Sequence, residues 1–220
     1  RFHYVVLDEP GETDGGERAD VLLRQYVEKQ AAPEVGHRQQ GLFGFDEDSG
    51  PPTVESGAKS PRIQAVWSPQ APTDPTEQYY SYMLASAVAA VRSRREGVDP
   101  AVNLSLERVP GVPAAEKLFK KETLNTDCLN EGITPLITYS GDVVILRSVT
   151  TVSNENEVFR VVDTSKVTVT DFVADDIELK MTTRYRGFKL APDTDVPPPS
   201  RTATPLRIKS SLLEWLRESE

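Results

Sequence analysis

Between Asn125 and Thr151 the chain reads NTDCLNEGITPLITYSGDVVILRSVTT, and no other stretch limits the fold so tightly. Leu124 and Cys128 stand four residues apart on one helical face, with Leu129 beside them. Gly132 follows where a helix end calls for a residue that adopts positive φ. Ile133 to Thr138 predicts a short β run, and Ser140, Gly141 and Asp142 supply the turn chemistry that folds the chain back. Val143 to Val149 is β-branched enough for a strand buried on both faces. A hairpin of this kind belongs in a core.

The chain before it alternates strands and helices. Phe2 to Leu7 predicts a first strand, ended by Asp8-Glu9-Pro10-Gly11. Asp14 and Glu17 have capping-box spacing, and Leu22, Leu23, Tyr26 and Val27 recur at helical intervals to Gln30. Gly41 to Phe45 predicts a second strand. A phosphate-approaching loop there would need further glycines, a lysine and a helix directly after it. Asp46 to Pro61, acidic and then rich in Gly, Pro and Ser, reads as a surface loop with at most a helical turn around Val54. Ile63 to Trp67 predicts a strand with Ile63, Ala65 and Trp67 on one side. Asp74-Pro75-Thr76-Glu77 has the residues of a helix start, and Tyr80, Leu84, Ala87, Val88 and Val91 form the stripe that helix would bury. Arg92, Arg94 and Arg95 then read as cations favourably placed near a helix C-terminus, ahead of Gly97.

This order predicts an α/β fold, a mixed and partly parallel sheet flanked by helices. Leu104 to Leu106 reads as a short strand, and Val109 to Pro113 as a break. Glu157 to Asp163 predicts one more strand. A helix capped at Thr164 or Ser165 follows, with Val169, Phe172, Val173, Ile177 and Met181 as its stripe and its end at Arg186-Gly187. Its start is open, because Val167-Thr168-Val169-Thr170 also alternates like a strand. Pro192 to Pro205 holds five prolines and reads as an extended connection. Thr204 and Pro205 begin a last helix, with Ile208, Leu212, Trp215 and Leu216 on one face. The expected organisation is a single core domain over 1–220, with flexible loops at about 46–61 and 192–203.

Composition excludes more than it selects. A formal charge of −9 argues against a non-specific nucleic-acid binder. The lone cysteine, Cys128, cannot form an internal disulfide and reads as a small buried apolar residue. No run is long enough to span a bilayer and no leader precedes the first strand, so no membrane association is expected. His3 and His37 lack partners at metal-ligand spacing. There is no G-x-S-x-G elbow, and no basic partner activates Cys128. Asp46, Glu47 and Asp48, like Asp175, Asp176 and Glu178, read as solvated carboxylates rather than a catalytic pair. The expectation is a protein that is not an enzyme and uses no metal or cofactor.

The segment Leu129-Asn130-Glu131-Gly132-Ile133-Thr134-Pro135-Leu136, followed by Leu146-Arg147-Ser148-Val149-Thr150-Thr151, resembles the contractile tail sheath proteins of Mu-like bacteriophages and related prophages. In the C-terminal half of that family a Leu-Asn-x-Gly-(Val/Ile)-Thr-Pro-Leu turn leads into a strand ending Arg-x-aliphatic-Thr-Thr. The later long helix, the loop and the Ala203-Thr204-Pro205 entry into a last helix come in the same order. The resemblance implies that Leu129, Asn130, Gly132, Ile133, Thr134, Pro135, Leu136, Arg147, Thr150 and Thr151 are structural motif residues. It further implies a subunit of stacked six-fold rings around an inner tail tube, contracting to drive that tube through a host envelope. The implied partners are other copies of the chain, the tube protein, and baseplate and tail terminator proteins. Its place would be the virion tail, assembled in the bacterial cytoplasm. Terminal arms that lend strands to neighbours would lie before Arg1 and beyond Glu220, since both ends read as cut. The first 60 residues match the family only loosely. Two other classes stay open: another tail or baseplate structural protein, or an α/β enzyme with a polar cluster at the strand C-termini.

Overall fold

A computed structural model of the chain describes residues 3–8, 10–11, 16–45, 50–68, 80–113, 124–152, 163–193 and 201–218. They form two compact units, Arg1–Val169 and Thr170–Glu220. The first is built on a five-stranded sheet in which sequence order is also spatial order: β1 (His3–Val6), β2 (Gln39–Phe45), β3 (Ile63–Trp67), β4 (Ile133–Tyr139) and β5 (Asp142–Ile145). The first four strands run parallel, and β5 returns antiparallel to β4. The sheet is therefore mixed and flanked by helices, as the strand and helix alternation predicts.

Period-two alternation gives each strand two apolar faces, and each face carries a helix. On one face Phe43, Ile63, Ala65, Trp67 and Ile133 pack with Leu23 and Val27 of α1 (Ala19–Ala31). On the other, Leu42, Val66, Leu136 and Ile145 pack with Leu84, Ala85 and Val88 of α2 (Ser81–Glu96). Gly44 lets α2 come so close: a Cβ there would lie 2.0 Å from the backbone oxygen of Ser81. The connection from β3 to β4 is no simple crossover. After α2 it runs beside β5, where Leu106 N donates to Ile145 O (2.7 Å) and Val109 N to Val143 O (2.8 Å). It then returns on the α1 face as a single wide helical turn, Leu124–Cys128, whose Leu124 and Cys128 are buried in that core.

The β4–β5 hairpin closes as its residues require. Tyr139 pairs with Asp142, leaving Ser140 (φ 53°) and Gly141 (φ 86°) as a two-residue loop with both residues left-handed. β5 stops at Ile145 rather than at Val149: after a last backbone bond from Leu146 N to Pro135 O (3.0 Å), side-chain bonds take over from the ladder. Thr134 Oγ1 accepts from Val149 N (3.0 Å) and donates to Val149 O (3.1 Å).

Other boundaries moved for local reasons. α1 starts at Ala19, with Arg18 at the cap position and no side-chain cap bond. Arg18 instead grips the buried Asp20 (2.9 Å). Tyr26 is exposed, so the buried stripe narrows to Leu23 and Val27. The segment expected as a surface loop buries Val54, Ala58 and Ser60, and holds a short 3-10 turn at Ser56–Ala58. Pairing expected at Leu104 to Leu106 falls instead around Arg108, which bridges Val144. The expected cap at Asp14, the helix start at 74–77 and nearly all of the strand at 157–163 lie outside the described residues. So do 46–49 and 194–200 of the two expected loops.

The ambiguity at Val167 to Thr170 resolves as helix: α3 spans Thr164–Tyr185, and Gly187 (φ 76°) follows its end. Thr164, Val167 and Thr168 are buried while Phe172 and Val173 are exposed, so the expected stripe faces solvent there. Within the second unit, β6 (Lys189–Leu190) and β7 (Thr202–Ala203) form a small parallel pair. α4 (Pro205–Glu218) opens as predicted, with Thr204 Oγ1 accepting from Arg207 N (3.3 Å). Tyr185 ties α3 to α4, its hydroxyl 2.9 Å from Arg207 O and 2.6 Å from Ser211 Oγ. Lys180 lies over the Trp215 ring (4.3 Å), and Arg184 pairs with Glu214 (3.0 Å).

The closest approach gives the first prediction. Gly44→Ala should lower stability by about 1–3 kcal/mol, the scale of an overpacked core, read as a lower urea midpoint. An unchanged midpoint would mean that α2 can lift from β2 at no cost.

Candidate functional site

The two halves of the sequence motif are one contact in space. Gly132 has φ 78°, and a Cβ there would lie 2.7 Å from the backbone carbon and oxygen of Thr151 and 2.8 Å from Thr150 O. Both the left-handed backbone and the crowding demand glycine. Thr134 binds Val149 through both backbone groups, as above. Thr151 N donates to Ile63 O (2.8 Å), and its hydroxyl accepts from Ser60 N (2.9 Å). The strand-entry turn, the end of the hairpin and the start of β3 are thereby pinned together. Ile133, Pro135, Leu136 and Thr150 are buried in the junction, Leu129 is half-buried and Asn130 is exposed.

Arg147 points outward and makes a fork to Asp163 at 2.8 and 3.1 Å. That hydrogen bond, helped by the carboxylate's charge, raises the guanidinium's pKa further above its ordinary value. The pair lines a small cleft of about 300 Å³ with Asn103, Ser105, Ser148 and Thr164.

Beneath the junction lies a polar cluster that sequence reasoning missed. Arg92 and Glu96 are both 0% exposed. Arg92 donates to Glu96 Oε1 (2.8 Å), Gln64 Oε1 (2.9 Å) and Gln40 Oε1 (2.7 Å), and sits 4.8 Å from the Tyr4 ring centroid. Tyr4 Oη donates to Glu96, and Thr168 Oγ1 lies 3.1 Å from the same carboxylate. Gln64 Nε2 carries the network onward to Thr134 (2.8 Å) and Ser148 (3.0 Å). Ser148 meets Thr164 at 2.7 Å. One chain of bonds thus runs from α2 through the sheet to the motif and the first turn of α3. The signal was in the sequence: Arg92 and Glu96 continue the four-residue spacing of Leu84 and Val88, so they had to face the sheet. Position near the helix C-terminus, taken alone, predicts an outward-facing cation instead. Arg94 and Arg95 are exposed, as that reading requires.

This arrangement cross-links α2, the sheet, the motif and α3. The buried charges are enclosed and mutually satisfied. Burial, with the nearby Asp127 charge, pushes the Cys128 thiol up to about 12, so it stays protonated and a poor nucleophile near neutral pH. Among the described residues no His, Cys, Asp or Glu group could hold a metal ion, and no helix is long and apolar enough to cross a membrane.

No protein-family model and no curated protein matches the chain. Solved structures do. The helical sheath of the anti-feeding prophage in its contracted state matches over 97% of this chain and 53% of its own, at 14% identity and TM-score 0.59. The sheath tail protein of Desulfitobacterium hafniense matches over 99% of this chain and 45% of its own, at 11% identity and TM-score 0.63. That of Listeria innocua matches over 99% and 46%, at 13% identity and TM-score 0.62. The fold is shared with tail sheath proteins. The chain spans about half the length of these sheath proteins. Both of its compact units lie within the shared fold, because the match covers nearly the whole chain.

The enclosed pair generates a prediction about stability. Arg92→Ala leaves the Glu96 carboxylate buried without its partner and should destabilise by about 3–5 kcal/mol, whereas the double change Arg92→Met with Glu96→Leu, which orphans only the neutral Gln40, Gln64 and Tyr4 groups, should lose less. Urea denaturation of both variants decides it: equal losses would show that the ion pair itself, not an orphaned charge, dominates.

Cys128 generates another. Its thiol, raised from an ordinary value near 9 to about 12, favours the folded state below 9 and loses that contribution as pH climbs toward 12. Wild type should therefore lose stability over this window by up to about 1.4 kcal/mol per pH unit more than Cys128→Ala. Parallel pH curves for the two proteins would refute it.

Proposed function

We propose that this chain is the core of a contractile tail sheath subunit of the Mu-like phage kind, covering 1–220 with its loops at about 46–61 and 192–203. The observation that carries the reading is a sheath-protein fold matched over 97% or more of the chain. The clustering of the motif residues Gly132, Thr134 and Thr151 in one junction supports it. On this reading the protein acts mechanically, without catalysis, metal or cofactor. Copies stack as six-fold rings around an inner tail tube, in a virion tail assembled in the host cytoplasm. Baseplate and terminator proteins contact the two ends of the stack. Contraction rearranges contacts between subunits, and each subunit must stay rigid for the displacement to reach the tube. A unit whose helices and strands are cross-linked through Arg92, Gln64 and Thr134 suits that demand. Terminal arms would join copies by adding strands to a neighbour's sheet.

A second reading, a baseplate structural protein, is favoured by one observation. A baseplate structure of the anti-feeding prophage matches over 88% of this chain at 14% identity and TM-score 0.57.

The test compares two proteins by light scattering and electron microscopy. The chain alone should run near its monomer mass of 24.3 kDa at micromolar concentration. A longer protein that carries it together with terminal arms should form rings or tubes. If that longer protein stays monomeric under all assembly conditions, or the chain alone builds ordered tubes, the arm-linked sheath reading is wrong.

A further inference from the structure

The second unit leaves two apolar stripes open to solvent, and they carry opposite charge. On α3, Phe172 and Leu179 are 50% and 66% exposed, and helical spacing places Asp175 on the same side and Glu178 at its edge. On α4, Leu206, Leu213 and Leu216 are 62%, 46% and 51% exposed, with Lys209 and Arg217 among them. The packed side of α4 is a different one, formed by Ile208, Ser211, Leu212 and Trp215. The wider surroundings repeat the contrast. Residues 170–179 contain four Asp or Glu and no Lys or Arg, with Lys180 next and paired to Asp176 (2.9 Å), whereas 184–217 contain seven Lys or Arg against three Asp or Glu.

We infer that these stripes are the two halves of a contact between copies: the basic leucine stripe of α4 on one copy packs against the acidic apolar stripe of α3 on the next. Opposite charges steer and register the pair, and the leucines and Phe172 supply the area that is buried. A contact between two different surfaces is head-to-tail, and repeats into a ring or an open array instead of closing as a two-fold dimer. The proposal deepens the sheath reading and rests on it, since a stacked assembly needs such a contact. In the isolated chain it should be weak, appearing only well above micromolar concentration.

Charge exchange tests it directly. One variant carries Asp175→Lys and Glu178→Lys, and the other Lys209→Glu and Arg217→Glu. Sedimentation equilibrium at low salt should show concentration-dependent association for wild type, weakened at least tenfold at 0.5 M salt. Each variant alone should remain monomeric, because its two stripes now repel. Their equimolar mixture should associate again. Circular dichroism melts of each variant establish that it is folded, and a variant that is not is replaced by its neutral form, with Asn, Gln or Ala at the same positions. Wild type that stays monomeric at every concentration, a mixture that fails to associate, or a single variant that associates like wild type would each overturn the inference. Tubes formed by the longer protein while the exchange fails would remove this contact and leave the sheath reading standing.

Discussion

An arginine with no access to water constrains everything packed around it. Arg92 lies inside the first unit with all three guanidinium nitrogens on acceptors: Glu96, Gln64 and Gln40, with Thr168 at 3.3 Å. Those acceptors come from α2 itself, two adjacent strands and α3, and each must be in place for the charge to be tolerated. Swapping the pair for apolar side chains would strip the buried Gln40 and Gln64 oxygens and the Tyr4 hydroxyl of these partners, so the cluster stands as a unit. A five-donor fork on two strand glutamines allows one position.

That positioning reaches the motif through Gln64, whose amide has one oxygen and two hydrogens, all used. The oxygen takes Arg92, and the hydrogens go to Thr134 and Ser148. Thr134 in turn holds Val149, and Gly132 gives the Thr150–Thr151 backbone room to lie against it. Two segments more than ten residues apart in sequence are thus one structural object. A rigid body of this kind suits a protein whose proposed work is to move without deforming.

Charge has a different distribution and a different role. The net of −9 says little by itself, because acidic and basic residues are sorted along the chain. The run 184–217 is basic within an acidic protein, and it coincides with an α4 stripe that leaves leucines in water. A composition figure averages this contrast away, and the helix faces show which of those charges border exposed leucines.

Much of the fold was legible in the sequence because it depends on local periodicity and turn chemistry. Alternation predicted β3, the Ser140-Gly141 pair predicted the hairpin, and Thr204-Pro205 predicted the start of α4. Each rests on steric preferences of a few neighbouring residues. The need for positive φ at Gly132 was legible for the same reason. Its crowding against Thr151 was not, because that neighbour arrives from another part of the chain. Tertiary structure alone decided that Val54 and Ala58 join a core, that Phe172 faces water, and which distant partners, Gln40 and Gln64, receive the inward Arg92. It also decided where Tyr26 points and where β5 ends. In every such case periodicity leaves several faces or partners equally good. The choice falls to whichever distant group satisfies a buried charge, a backbone amide or an apolar surface.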